Sequence, residues 1–110
     1  MGSPAIREVI LVPFPYSDLS QAKVRPALCL AQASRGDWTL CQITSSPYGD
    51  PTAVSLAQGD FESGGLSRHS FARPSVLTTV HESTFIKVVG KLHDRAFQAI
   101  LDRVLKHLRP

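Results

Sequence analysis

The chain is predicted to fold as an α+β domain: a small, strongly bent β-barrel of five to seven short strands with one C-terminal helix packed on it. Three observations predict this. Short apolar runs rich in β-branched residues recur up to Leu92. Clusters of Pro, Gly, Ser and Asp separate them. Helical periodicity enters only in the last segment.

Val9-Ile10-Leu11-Val12 is a continuous apolar run and reads as a buried strand, and Ala27-Leu28-Cys29-Leu30 reads as a second. Between them Pro13–Pro26, with three prolines and Ser17, Asp18 and Ser20, reads as a loop longer than a tight hairpin turn. Loops of that length in small domains are often functional. Ser34-Arg35-Gly36-Asp37 is a turn cluster. Trp38–Thr44 alternates as a third strand, with Leu40, Gln42 and Thr44 on one face and Thr39, Cys41 and Ile43 on the other. Ser45–Pro51 is a loop by composition and Thr52–Ala57 a short strand. Asp60–Ser70, which contains Gly64-Gly65, reads as a mobile connection. Ser70–Arg73 and Ser75–Val80 read as two extended pieces interrupted by Pro74. Phe85–Leu92 is the last strand, with Gly90 as a bulge.

From Asp94 to Leu108 the pattern changes. Phe97, Ile100, Leu101, Val104, Leu105 and Leu108 follow the i, i+3, i+4, i+7 rule, so their stripe faces the core. Arg95, Gln98, Asp102, Arg103, Lys106 and Arg109 occupy the other face. Asp94 near the start and basic residues at the end suit the helix dipole.

Bulk properties narrow the class. A chain of 110 residues, 43% hydrophobic, forms one domain over 1–110 with a real core. No apolar run approaches the roughly 20 residues that span a bilayer. Met1-Gly2-Ser3-Pro4 lacks the basic-then-apolar pattern of a signal peptide, so a cytoplasmic protein is expected. Cys29 and Cys41 read as buried free thiols of a reducing compartment. The four histidines lack metal-ligand spacing, and no cofactor is expected. The net charge of +3 permits a nucleic-acid or acidic-protein partner.

Lys23-Val24-Arg25-Pro26 is the segment that carries chemistry. Proline biases the residue before it toward extended geometry. Arg25 is thereby held where a loop enters a strand, suited to gripping a phosphate or carboxylate.

The stretch VILVPFPYSDLSQAKVRPALCL, from Val9 to Leu30, resembles the opening of the MazF/PemK-like toxins of type II toxin–antitoxin pairs. Their strand ending V-P-F-P, then a loop, then K-R-P-A-L-V-L is similar. CQITSS resembles their third strand, Ser70–Pro74 their later S-x-V-R segment, and Leu77–Leu92 their closing pattern. The resemblance implies an SH3-like barrel of PemK/CcdB type, a homodimer, a cognate antitoxin with an acidic, partly disordered segment, and metal-independent cleavage of single-stranded RNA. It places the family's phosphate-binding arginine at Arg25, its strand-end hydroxyl at Thr44 and a second arginine at Arg73. Tyr16, Ser17, Gln21, Lys23, Ser45, Ser46 and Tyr48 are the expected RNA contacts, with the two tyrosines able to stack on bases. The chain also departs from the family. Arg7-Glu8 stands where Gly-Asp is usual, Leu19-Ser20-Gln21 where some members carry His-Glu-Gln, and Pro74-Ser75 where some carry Asp. The usual general base is therefore missing, and His81 is an alternative for it. Two other functions stay open on sequence alone: a non-enzymatic toxin of this fold that docks on a protein such as DNA gyrase, and a catalytically weak RNA-binding relative.

Overall fold

The structure is a computed structural model that describes residues 3–15 and 18–110. Among the described residues seven strands form one antiparallel sheet: β1 (Glu8–Pro15), β2 (Ala22–Gln32), β3 (Asp37–Thr44), β4 (Val54–Leu56), β5 (Phe61–Gly64), β6 (Ser70–His81) and β7 (Lys87–Leu92). Their order across the sheet is β4-β6-β3-β2-β1-β7-β5. Helix α1 (Asp94–Leu108) follows. The α+β barrel-and-helix architecture expected from the sequence is the one observed.

The sheet is curled and buries both faces. On one face Val9, Leu28, Cys41, Ile43 and Leu92 meet Phe97, Ile100 and Val104 of α1. On the other, Ile10, Val12, Phe14, Ala27, Cys29, Trp38, Leu40 and Phe85 form a second core. Adjacent residues of a strand point to opposite faces, so a strand buried on both must be apolar throughout. That is why Val9–Val12 and Ala27–Leu30 are unbroken apolar runs. The free thiols of Cys29 and Cys41 are buried in these two cores, and burial pushes both up to about 12.

Helix α1 has the bounds its periodicity predicts. Leu105 and Leu108 depart from the expected core stripe: they are 52% and 61% exposed, because the last turn passes beyond the surface that buries Phe97, Ile100 and Val104. The loop expected over Pro13–Pro26 is shorter. The β1–β2 ladder continues through Pro13↔Val24, Phe14↔Lys23 and Pro15↔Ala22. Prolines are tolerated there because β7 pairs with β1 only as far as Leu11, leaving the proline half of β1 with one open edge.

Two further differences lie in the middle of the chain. The connection expected to be mobile, Asp60–Ser70, starts at the end of a 3-10 turn, Gln58–Asp60, and contains strand β5, which pairs with β7 and buries Phe61 in the same core as Leu92. The two short pieces around Pro74 are one strand, β6. Its register against β3 jumps from Arg73↔Gln42 to Leu77↔Cys41, so buried Pro74 sits in a bulge where no ladder N–H is required. The bulge expected at Gly90 is present, since Val9 pairs with Gly90 and Ile10 with Val88.

Candidate functional site

The β3–β6 bulge opens an extended groove on the face that carries the second core. The groove has a volume of about 610 Å³, and Arg25, Gln42, Arg73, Leu19, Tyr48 and Ser75 are among its lining residues. Register explains the convergence. Arg25 lies opposite Val12, two residues before Ala27. Ala27 pairs with Gln42, and Gln42 with Arg73. Side chains two residues apart share a face, so Arg25, Gln42 and Arg73 all project from one side of the sheet. β3 separates β2 from β6, so the two arginine backbones stand roughly 10 Å apart across the strands. Two long guanidinium side chains can close that gap on one extended anionic ligand.

The arginines differ in their surroundings. Arg73 is anchored: its Nε donates to Asp50 Oδ2 at 2.9 Å and its Nη1 to Gln42 Oε1 at 3.4 Å. Arg25 has no hydrogen-bond or ion-pair partner among the described residues and is half-buried. A guanidinium partly withdrawn from water without a counter-ion favours an anion brought from outside.

Asp50 was not anticipated from the sequence. Its Oδ1 accepts from the Thr52 amide at 2.9 Å and the Thr52 hydroxyl at 2.7 Å. The Thr52 hydroxyl first, then Arg73 and the Thr52 amide, hold the carboxyl well below the usual range, at about 2. The only sequence signal is local, an Asp two residues before a Thr in a turn. Gln42 was also missed, although it stands on the face shared by Leu40 and Thr44.

Thr44 does not line the groove. It is 3% exposed, and its hydroxyl donates to the Ser46 carbonyl and accepts from the Ser46 amide, each at 3.1 Å. Continuing the β2–β3 register two residues past Ala27↔Gln42 places it beside Arg25. Its hydroxyl therefore fastens the loop Ser45–Ala53 to the strand end. Ser45 and Ser46 are exposed in that loop. Lys23 is exposed opposite Phe14, and Gln21 is exposed just before β2. None of these four lines the groove. Tyr16 and Ser17 lie outside the described residues. His81 sits at the opposite end of β3 from Thr44, opposite Asp37, with its Nδ1 bound to the Ser83 hydroxyl and amide. That position excludes it as a base beside Arg25.

Leu19 and Tyr48 form apolar walls. They are 78% and 71% exposed. Both adopt left-handed backbone, with φ of 62° and 56°, a region that costs bulky residues energy. Each presents a large carbon surface to solvent at the groove.

The fold matches known structures closely at low sequence identity. MazF (Form-I) from Deinococcus radiodurans superposes with a TM-score of 0.77 at 18% identity, covering 98% of each chain. A MazE-MazF complex (Form-III) from the same organism gives 0.75 at 17%, covering 97% of each. An endoribonuclease from a mycobacterial species gives 0.72 at 14%, covering 98% of this chain and 93% of that one. No curated protein matches the chain significantly. A family profile, described as the PemK-like, MazF-like toxin of type II toxin–antitoxin systems, matches residues 6–108. With nearly its whole length matched, the chain belongs to that toxin family.

Proposed function

We propose that this chain is a cytoplasmic endoribonuclease toxin that cuts single-stranded RNA without a metal. The observation that carries the reading is Arg25, a half-buried guanidinium without a described counter-ion, in the same groove as Arg73. The description of a mycobacterial structural neighbour as an endoribonuclease supports it.

The reaction is an internal displacement. The 2′-OH attacks the adjacent phosphorus and loses its proton to water. The bond to the 5′-oxygen breaks, and that oxygen takes a proton from water. The products are a 2′,3′-cyclic phosphate and a free 5′-OH. Negative charge grows on the phosphoryl oxygens as the new bond forms. Arg25 meets it with a planar fork that stays ionised. Arg73 holds a neighbouring phosphate, and Leu19 and Tyr48 offer apolar surface to the flanking bases. Thr44 holds the loop beside Arg25 and reaches phosphate only if it leaves Ser46. No histidine lines the described groove, so the chain relies on charge stabilisation and positioning more than on a strong base.

Two copies of the domain pair about a two-fold axis, and their grooves join into one RNA path. A cognate antitoxin neutralises the enzyme by laying an acidic, partly disordered segment along the same arginines. MazE–MazF pairing in the Deinococcus complex supports such a partner.

Incubating purified protein with long RNA in EDTA, then mapping the ends, tests the reading. Defined cuts ending in 2′,3′-cyclic phosphate are expected. RNA left intact overturns it, and intact RNA with inhibited gyrase would place the chain among the docking toxins of this fold.

A further inference from the structure

We infer that Asp50 is a positioning residue for Arg73, acting in place of a groove carboxylate that would serve as a base. The inference rests on the endoribonuclease reading for its functional meaning, but its geometry stands alone. Both carboxylate oxygens are committed. Oδ1 takes the Thr52 amide and hydroxyl, and Oδ2 takes Arg73 Nε at 2.9 Å. The Asp50 side chain is only 7% exposed, and that of Arg73 is 25% exposed.

The arrangement aims the guanidinium. Nε is held by Asp50 and Nη1 by Gln42, so the plane of the group is set by two points on different elements. The remaining donors of Arg73 have no partner among the described residues, and the side chain lines the groove. An arginine held this way needs little reorganisation when a phosphate arrives. Asp50 also organises its own loop. Its amide donates to the Pro47 carbonyl at 3.0 Å and its carbonyl accepts from the Ala53 amide at 3.3 Å. Tyr48 lies inside the turn so formed, so one residue ties the aim of Arg73 to the placement of the Tyr48 wall.

A carboxylate is required on physical grounds. Asparagine at this position would have one acceptor and one donor in place of two acceptors. It could serve Thr52 or Arg73, but its NH₂ would then face a donor of the other.

The test is a double-mutant comparison in single-turnover cleavage at saturating enzyme, using wild type, Asp50→Asn, Arg73→Ala and the combined variant. Asp50→Asn should lose at least about tenfold in the saturated rate, the scale of a charge-assisted hydrogen bond. The combined variant should be no slower than Arg73→Ala within about twofold, because Asp50 acts through Arg73. A wild-type rate in Asp50→Asn, or a combined loss equal to the product of the single losses, overturns the inference. Thr52→Val keeps the Asp50 charge and removes one bond that aims it. It should show a smaller loss with the same non-additivity, and it serves if Asp50→Asn does not fold. If wild type leaves RNA intact, the endoribonuclease reading fails and Asp50 is judged by arginine side-chain NMR. A protected Arg73 Nε–H signal in wild type that loses protection in Asp50→Asn or Thr52→Val sustains the positioning role. Identical signals refute it.

Discussion

Replacing Thr44 with valine separates a fastening role from a chemical one. Valine is nearly isosteric with threonine and lacks only the hydroxyl, so core volume is kept. The structure assigns that hydroxyl two bonds, both to the Ser46 backbone at 3.1 Å. A typical intramolecular hydrogen bond contributes about 0.5–1.5 kcal/mol net. Ser46 is exposed, so water can satisfy its released amide and carbonyl, which keeps the cost at the lower end. The expected loss is about 1.5 kcal/mol in all, or roughly 6 °C in Tm for a domain of this size. Urea unfolding followed by circular dichroism measures it. Thr44→Ser, which keeps the hydroxyl, should recover most of the hydrogen-bond contribution. Cleavage by Thr44→Val should fall modestly, through loosening of the loop that carries Tyr48 and Asp50. Wild-type stability combined with abolished cleavage would refute this reasoning, because it would mean that the hydroxyl leaves Ser46 to act on RNA.

Gly64 has φ of 66°, and a Cβ there would overlap the Val89 carbonyl oxygen and lie 2.7 Å from Gly90 Cα. Gly64→Ala combines left-handed strain of about 1–2 kcal/mol with overpacking of about 1–3 kcal/mol, so a loss near 3 kcal/mol is expected in urea unfolding. RNA cuts should persist below the transition, since β5 and β7 lie away from the groove. Asp50 is held at about 2 in the folded chain against an ordinary 3.8. Its stabilisation is therefore complete above about pH 4 and fades as pH falls through 2. The stability gap between wild type and Asp50→Asn should shrink over that window, and a constant gap from pH 7 to pH 2 would show that the ionised carboxylate is not what matters.

What was legible in the sequence was local or alternating. Helix α1 repeats its apolar pattern within one segment, so its bounds could be read directly. Arg25 could be singled out because Pro26 follows it, but its setting could not: it lies inside β2, opposite Val12, and not where a loop enters a strand. Strand β5 was not legible, because Phe-Glu-Ser-Gly buries only its Phe61 and is held by backbone pairing to β7. The continuity of β6 was hidden because proline ordinarily breaks a strand, and only the bulge against β3 shows how Pro74 is accommodated. The Asp50–Arg73 pair spans 23 residues and exists only once β6 is registered against β3. Arg7 shows the reverse case. It stands where the resembling family has glycine, and it adopts φ of 74°, a region that suits glycine. Its Nη1 bonds to the Leu92 carbonyl at 3.2 Å and pairs with Glu62 at 3.5 Å, contacts that offset part of the strain.

The most direct test of the account is the single-turnover cleavage rate of Arg25→Ala at saturating enzyme, with circular dichroism confirming the fold. If Arg25 meets the growing charge on the phosphoryl group, its loss costs on the order of 3 kcal/mol or more, a factor of roughly 100 or above, and excess RNA does not restore the rate. Arg25→Lys should recover little, because a point charge cannot make two parallel bonds to one phosphate. A folded Arg25→Ala that cuts RNA at the wild-type rate would contradict the account and remove the groove from the chemistry.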